Sequence, residues 1–130
     1  MIPDEYQDLL LDKNIAHVST KNPDGTLQIS PVWIDYDEKS GNVLFNTARG
    51  RKKDRNLSVG SPIAISITDS DNFYRYLTVQ GEIIEKTTEG AVDHINKLAK
   101  KYLDRDEYGV KDDETRIKLI VKPIHVNVSG

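Results

Sequence analysis

Short apolar segments that alternate with a two-residue period, separated by turn sequences, recur along most of this chain. In residues 63–68 isoleucine occupies every second position, and residues 76–85 alternate in the same way. This period places one face of each segment in a core and leaves the other face polar. Turn sequences at residues 22–25 (NPDG) and 38–42 (EKSGN) contain the glycines that tight turns favour. The pattern predicts a mainly β fold built of antiparallel strands.

Six strands are predicted, and they lie at residues 15–21, 27–37, 43–48, 63–68, 76–85 and 117–129. Pro123 in the last strand lacks an N–H donor, which requires an edge or a bulge at that point. Three helices are inserted, over residues 3–12, over 51–58 and from Thr88 onward. Thr88 is a predicted N-cap and Gly60 a predicted C-terminal cap. These elements predict a small antiparallel β-barrel with inserted α-helices, in a single domain over residues 1–130.

The apolar side chains of the third helix recur at helical spacing and are expected to share one face. They are Val92, Ile95, Leu98, Ala99, Tyr102 and Leu103. The segment that follows, residues 104–114, is acidic and short of apolar groups. It is predicted to form an exposed loop or a local helical turn, and ordered structure there would need a partner.

The composition narrows the possible chemistry. Among 130 residues there is no cysteine, which excludes disulfides, thiolate metal sites and cysteine nucleophiles. The histidines, His17, His94 and His125, lack the spacing of a metal-binding motif, so no metal site is predicted. A net charge of -3 argues against a nucleic-acid-binding protein. The N-terminus lacks a secretory pattern and no apolar stretch approaches the ~20 residues of a membrane span, so a cytoplasmic location is expected.

One segment concentrates positive charge at the junction between the third strand and the second helix. Residues 49–55 (RGRKKDR) contain five cations and one anion. Cations at a helix N-terminus are unfavourable by about 0.3–1 kcal/mol each, and they become favourable when an anion such as phosphate binds. Gly50 would let that anion approach the backbone closely. A solvated basic turn that pairs with the acidic remainder of the chain explains the pattern equally well, and no P-loop or dinucleotide-binding glycine motif is present.

The order of these parts resembles the split β-barrel flavin and deazaflavin proteins that are related to pyridoxamine 5'-phosphate oxidase. The most specific segment is TARGRKKDRNL at residues 47–57, which is followed after a short gap by SP and an apolar strand. The resemblance covers residues 13–128 and points to the branch that uses the deazaflavin coenzyme F420. It implies a six-stranded antiparallel split β-barrel of the FMN-binding type, which forms a homodimer with cofactor sites at the dimer interface.

The resemblance also implies where a cofactor phosphate would bind. Arg51 and Lys53, with help from Lys52, match the positions that hold the phosphate. Asn46 and Thr47, at the end of the preceding strand, match the neighbouring contacts. Taken without the resemblance, these two residues are equally well explained as ordinary strand-end caps.

The tricyclic ring of the cofactor would lie beside the second strand, at Ser30, Pro31, Val32 and Trp33. Pro31 cannot donate to a strand ladder, and it therefore marks a place where regular pairing stops. Gln80 in the fifth strand is a further candidate contact to the ring, and it could reach the cofactor of the partner.

The function implied by the resemblance is hydride transfer between coenzyme F420 and a small unsaturated or oxidised organic substrate. Arg49 and Arg55 could hold the anionic tail of F420, and FMN is the alternative cofactor. Pyridoxamine 5'-phosphate oxidase activity is not expected, because no C-terminal segment with arginine and tryptophan follows the last strand. A noncatalytic carrier of F420, flavin or haem is the alternative from another class, with His17 or His125 as the haem ligand. No catalytic side chain is assigned.

Overall fold

Seven strands form one antiparallel sheet in the computed structural model, which describes residues 1–130. They are β1 (Ala16–Lys21), β2 (Leu27–Val32), β3 (Ile34–Asp37), β4 (Asn42–Ala48), β5 (Pro62–Asp69), β6 (Asn72–Thr87) and β7 (Arg116–Ser129). The order across the sheet is β2-β1-β5-β6-β7-β4-β3. The outermost strands, β2 and β3, are separated in the chain by Trp33 alone. The sheet therefore curls until its two edges meet, which confirms the predicted split β-barrel.

The strand predicted over residues 27–37 is divided at Trp33 into β2 and β3, and this raises the strand count from six to seven. The division follows from pairing, because β2 pairs with β1 whereas β3 pairs with β4 on the other side of the barrel. A strand that changes partners must interrupt its ladder. Pro31, which pairs with His17 without an N–H to donate, stands two residues before the interruption.

The bulge required at Pro123 is present, between the two longest strands of the barrel. Gln80 pairs with His125 and Gly81 with Pro123, so the β6–β7 register shifts at this point and leaves Ile124 extra. A Cβ atom on Gly81 would stand 2.5 Å from the carbonyl oxygen of Lys122, so this position accepts only glycine without a shift of backbone.

There are three α-helices, as predicted, and each is shorter than its predicted range. They are α1 (Asp8–Leu11), α2 (Lys52–Asn56) and α3 (Ala91–Leu103). A 3-10 turn over Asp4–Tyr6 precedes α1, so the helix predicted for residues 3–12 is two short pieces. No helix in the structure combines the length and the apolar composition that spanning a bilayer requires.

Both predicted helix caps were wrong. Gly90, with φ of 71°, precedes α3, and Thr88 contributes only a carbonyl oxygen that accepts from Ala91 N at 3.2 Å. Because glycine adopts the left-handed region without strain, it redirects the chain into the helix and replaces a side-chain cap. α2 ends at Asn56, and Gly60 lies beyond it in the turn before β5.

The main core fills the barrel between the inner face of the sheet and α1. The isoleucines of β5 are buried as the alternation predicts, and Leu9, Leu10 and Phe45 are fully enclosed beside them. A second, smaller cluster forms where α3 packs against the chain around Trp33. On α3, Val92 and Leu103 are 47% exposed, which corrects the predicted face, and His94 is buried instead.

Candidate functional site

The basic segment is anchored by Lys86 of β6. Its Nζ donates to the carbonyl oxygens of Asp54 (2.9 Å) and Leu57 (2.7 Å) and forms an ion pair with Asp54 Oδ1 at 2.8 Å. The last carbonyls of a helix lack partners within the helix, so Lys86 supplies the missing donors for α2. The Gly50 N–H donates to Asp54 Oδ2 at 2.7 Å. The backbone N–H at the glycine where an anion was expected to approach is therefore already bonded. Asp54 and Lys86 thus fix α2 and its cations.

The cations of the segment point in different directions. Lys53 Nζ crosses to β2 and donates to Ser30 Oγ at 3.0 Å. The pKa of Lys53 is lowered, first by burial and then by the nearby positive charge of Arg51. Lys52 is exposed, and its charge acts on Asp24, outside the cavity described next. Arg51 and Lys53 are therefore the two cations of the segment that share one site.

A cavity of about 500 Å³ lies between α2, α3 and the β2–β3 junction. It is lined by Ile15, Pro31, Val32, Trp33, Asn46, Arg51, Lys53, Ile95, Leu98, Tyr108 and Arg116. Six residues predicted from the sequence are thus brought together, and Ser30 is linked to them through Lys53. The lining combines positively charged side chains with apolar and aromatic ones.

Besides Ser30, three predicted residues do not line this cavity. Lys52 faces away, as described above. Thr47 is 1% exposed, on the core-facing side of β4 with Val43 and Phe45, and its Oγ1 has no hydrogen-bond partner. Gln80 is exposed on β6 and lines a separate groove with His125. A role for Gln80 at a cofactor would therefore require a second copy of the chain.

A chain of buried polar side chains behind the cavity was missed by the sequence analysis. Arg116 Nε donates to Asn46 Oδ1 at 2.9 Å, and Asn46 Nδ2 contacts His94 Nδ1 at 3.2 Å and the carbonyl oxygen of Ala91 at 2.9 Å. His94 Nε2 lies 3.2 Å from Asp35 Oδ2. Asn46 Nδ2 donates to the carbonyl oxygen of Ala91 and lies within hydrogen-bond distance of the His94 ring, while Asn46 Oδ1 accepts from Arg116. Asn46 therefore orients Arg116, and both ends of its amide are engaged by the protein.

The loop between α3 and β7, residues 104–115, is held in place without a partner, contrary to the prediction. Tyr108 N donates to Asn96 Oδ1 at 2.9 Å, and the Tyr108 ring meets Trp33 edge to face with ring centroids 5.9 Å apart. The Trp33 ring also stacks on Tyr102 at 5.4 Å. These aromatic contacts make the loop one wall of the cavity.

Acid should weaken the fold through Asp35. Burial would raise the pKa of this carboxyl, but hydrogen bonds from His94 and Lys97 outweigh burial and lower it from 3.8 to about 2. A lowered pKa means that the ionised group stabilises the fold above pH ~4 and that this contribution is lost as the pH falls through about 2. The shift corresponds to about 2 kcal/mol.

At pH 7 we expect the free energy of unfolding of Asp35→Asn to be lower than that of the wild type. Between pH 5 and pH 2 we expect it to fall less than the wild-type value does. Urea unfolding followed by tryptophan fluorescence measures the difference. Asp71→Asn, at an exposed position, should follow the wild-type curve. Parallel curves for wild type and Asp35→Asn would contradict the assigned role.

Comparison with solved structures places this geometry in a known class. The chain superposes on F420 reductase with a TM-score of 0.83 and 29% identity, over 97% of this chain and 98% of that one. HupZ of Group A Streptococcus gives a TM-score of 0.69 at 21% identity, over 98% and 94% of the two chains. A presumed pyridoxamine 5'-phosphate oxidase from Listeria innocua gives 0.72 at 11% identity, over 96% and 95%. No protein-family model and no curated protein sequence matches the chain.

The chain therefore has the split β-barrel fold of proteins related to pyridoxamine 5'-phosphate oxidase. The likenesses to HupZ and to the Listeria protein are likenesses of fold. The likeness to F420 reductase extends to the amino-acid sequence. This confirms the resemblance that the basic segment and the strand order indicate.

Proposed function

We propose that this chain binds a phosphorylated tricyclic cofactor in the cavity beside α2 and acts as an oxidoreductase. One observation carries the proposal: Arg51 and Lys53 line the same cavity as the apolar and aromatic side chains of Trp33, Ile95, Leu98 and Tyr108. A ligand that combines a phosphate with a planar ring system matches both kinds of lining. Coenzyme F420 is favoured, and FMN is the alternative.

The charge of the cavity supports a phosphate. Lys53 is half-buried and bonds only a neutral hydroxyl, and Arg51 is 3.7 Å from its nearest carboxylate, Glu114. A half-buried cation with no anion in contact, as at Lys53, is unfavourable, and the single carboxylate neighbour of Arg51 is farther away than a hydrogen bond. Phosphate oxygens would neutralise them and accept charge-assisted hydrogen bonds. In this proposal Arg51 and Lys53 hold the phosphate.

The apolar side supports a ring. Trp33, Ile95 and Leu98 line the cavity with flat or branched apolar surface. A bound flavin or deazaflavin would supply hydride transfer, that is, two electrons and one proton delivered together, with the second proton taken from solvent. The residues of this chain orient the ring and keep water away, and no side-chain nucleophile is needed.

F420 is favoured over FMN on two grounds. A solved structure that shares 29% identity with this chain is described as F420 reductase. Arg49 and Arg55 are exposed beside Arg51 and would meet the additional negative charges of F420. The proposed reaction is hydride transfer between F420 and a small unsaturated or oxidised organic molecule.

Cofactor binding and turnover test this function separately. The protein is titrated with F420, FMN and haemin, and binding is followed by fluorescence quenching or absorbance. Tighter binding of F420 than of FMN supports the favoured cofactor. Oxidation of reduced F420 by a model acceptor, only when protein is present, distinguishes an enzyme from a carrier. Preferential binding of haemin, with loss in His17→Ala or His125→Ala, would overturn the proposal.

We further propose that two copies of the chain associate through the outer face of β2. Leu27 and Ile29 on this edge strand are 74% and 67% exposed, and apolar side chains so exposed mark interaction surfaces. Pro31, on the same face, lines the cavity, so the surface and the cavity adjoin. This arrangement would place the cofactor sites near the interface of a homodimer.

Replacing Leu27 and Ile29 together by glutamate is expected to convert a dimer into a monomer, because two charges would be buried in the interface. Light scattering after size exclusion measures the mass. Val92→Glu, on the exposed side of α3, is the matched control and should stay dimeric. A double variant that remains dimeric would place the interface elsewhere.

A further inference from the structure

Arg116, the first residue of β7, is a rigidly held guanidinium in the wall of the cavity, and the proposed function does not use it. It is 4% exposed. Its Nε donates to Asn46 Oδ1 at 2.9 Å and its Nη1 to Glu114 Oε2 at 2.7 Å, while the Tyr108 ring centroid lies 5.0 Å from its central carbon. A buried arginine with three such contacts has little freedom to move.

One nitrogen of this guanidinium remains open. Nε and Nη1 are bonded to protein oxygens, whereas Nη2 donates to no protein acceptor. Thr47 Oγ1 is the one enclosed side-chain polar atom that lacks a partner, so Nη2 of Arg116 is not enclosed. Arg116 lines the cavity, so Nη2 is the guanidinium nitrogen that it has available for a ligand there. The protein thus presents a fixed, charged N–H donor to whatever binds there.

The neighbourhood of Arg116 already accommodates a carboxylate. Glu114 Oε2 lies 2.7 Å from Arg116 Nη1 and 3.7 Å from Arg51 Nη2, so one oxygen stands between two guanidinium groups. The hydrogen bond from Arg116 is the main reason that the pKa of Glu114 is lowered, and the carboxylate is ionised at neutral pH. With Lys53 included, three cations face one anion. Without a ligand these groups sum to a positive excess, which the cofactor phosphate and a ligand carboxylate would share.

Aromatic surface adjoins this donor. The Tyr108 ring packs on Arg116 and meets Trp33 edge to face, and Leu98 lines the same cavity. A ligand group that reaches Nη2 therefore passes along flat apolar side chains, which favour a planar body. The two features together describe a planar molecule with a carboxylate at one end.

We propose that Arg116 recognises substrate by binding the carboxylate of a planar unsaturated acid, with Glu114 as an internal carboxylate that competes for the same arginines. The inference rests on the proposed function, in which the cofactor phosphate takes Arg51 and Lys53 and leaves Arg116 for the second ligand. Arg116 is a substrate-binding residue in this assignment, and Asn46 positions it.

The test uses matched acids and amides as probes, because an amide keeps the shape and removes the charge. Cinnamate and cinnamamide are titrated by calorimetry into protein loaded with F420 and, separately, with FMN. The wild type should bind the acid at least about tenfold more tightly than the amide, the difference expected for one charge-assisted hydrogen-bonded contact. Arg116→Lys, which keeps the charge and loses the fork, should remove most of this preference.

Glu114→Gln is a second variant, and it is expected to strengthen acid binding, whereas Arg116→Lys is expected to weaken it. It removes the competing carboxylate and keeps the size of the side chain, so it should tighten acid binding about threefold and leave amide binding unchanged. A merely structural role for Glu114 would predict weaker binding of both probes. Thermal unfolding of each variant confirms that the fold is intact, and this variant tests the inference even where Arg116→Lys fails to fold.

The outcomes separate the two proposals. If neither F420 nor FMN binds, the proposed function is overturned. If a cofactor binds but the wild type does not prefer the acid, or both variants keep the wild-type preference, only the assignment of Arg116 is overturned. If Arg116→Lys weakens F420 binding but not FMN binding, and acid and amide bind alike, the recognised carboxylate belongs to the cofactor and the substrate assignment is wrong.

Discussion

Alanine at both Arg51 and Lys53 is expected to weaken cofactor binding at least about 100-fold and to leave the fold intact. Each charge-assisted hydrogen bond to a phosphate contributes about 1.5–3 kcal/mol, and 100-fold corresponds to about 2.7 kcal/mol. The fold should survive because the Arg51 side chain is 54% exposed and Lys53 bonds only Ser30. Fluorescence titration with F420 and FMN measures the dissociation constants, and each single variant should lose about tenfold.

A matched control distinguishes the loss of direct contacts to the phosphate from the loss of net positive charge. Lys52→Ala with Lys39→Ala also removes two positive charges, from exposed positions outside the cavity. This control should bind within about threefold of the wild type. Equal losses in both double variants would show that net charge alone is responsible, and unchanged binding in the Arg51 and Lys53 variant would remove the phosphate assignment.

Lys86→Met is expected to lower both stability and cofactor affinity although Lys86 does not line the cavity. Its Nζ bonds two carbonyl oxygens at the end of α2 and the carboxylate of Asp54. Without it, polar groups that are partly buried lose their partners, at a cost of about 2 kcal/mol. α2 then loses its anchor on β6, and Arg51 and Lys53 are no longer held toward the cavity, so affinity should fall about tenfold.

Thermal unfolding and the same titration measure the two effects. Lys122→Met, at an exposed position on β7, is the control and should change neither. Normal affinity in a Lys86→Met protein of reduced stability would show that α2 keeps its position without the anchor. The positioning role of Lys86 would then be wrong, while the phosphate site would stand.

Structural features that depend on residues close together in the chain were predicted well. The isoleucines of β5 alternate because one face of the strand is buried, and that period is visible in the chain itself. Pro123 had to stand at a bulge or an edge because it lacks an N–H donor, and it stands at a bulge. The basic segment was recognisable because its five cations stand within seven consecutive residues.

Features that depend on contacts between residues far apart in the chain could not be predicted from one segment. The break at Trp33 follows from pairing with β1 on one side and β4 on the other, strands distant from each other in the sheet. Arg116 stands before an apolar run and has the pattern of an ordinary strand flank. Its burial depends on Asn46, 70 residues away. His94 was placed outside the apolar face because its partners, Asp35 and Asn46, belong to other elements.

The chain contains one tryptophan, and that residue is Trp33, at the seam of the barrel and in the wall of the cavity. Its indole emission therefore originates from the place where a ligand would lie, with no other indole to obscure it. The molecule carries its own optical probe, so occupancy and unfolding can both be followed on the unlabelled protein. A bound chromophore that absorbs near the indole emission would also quench it by energy transfer.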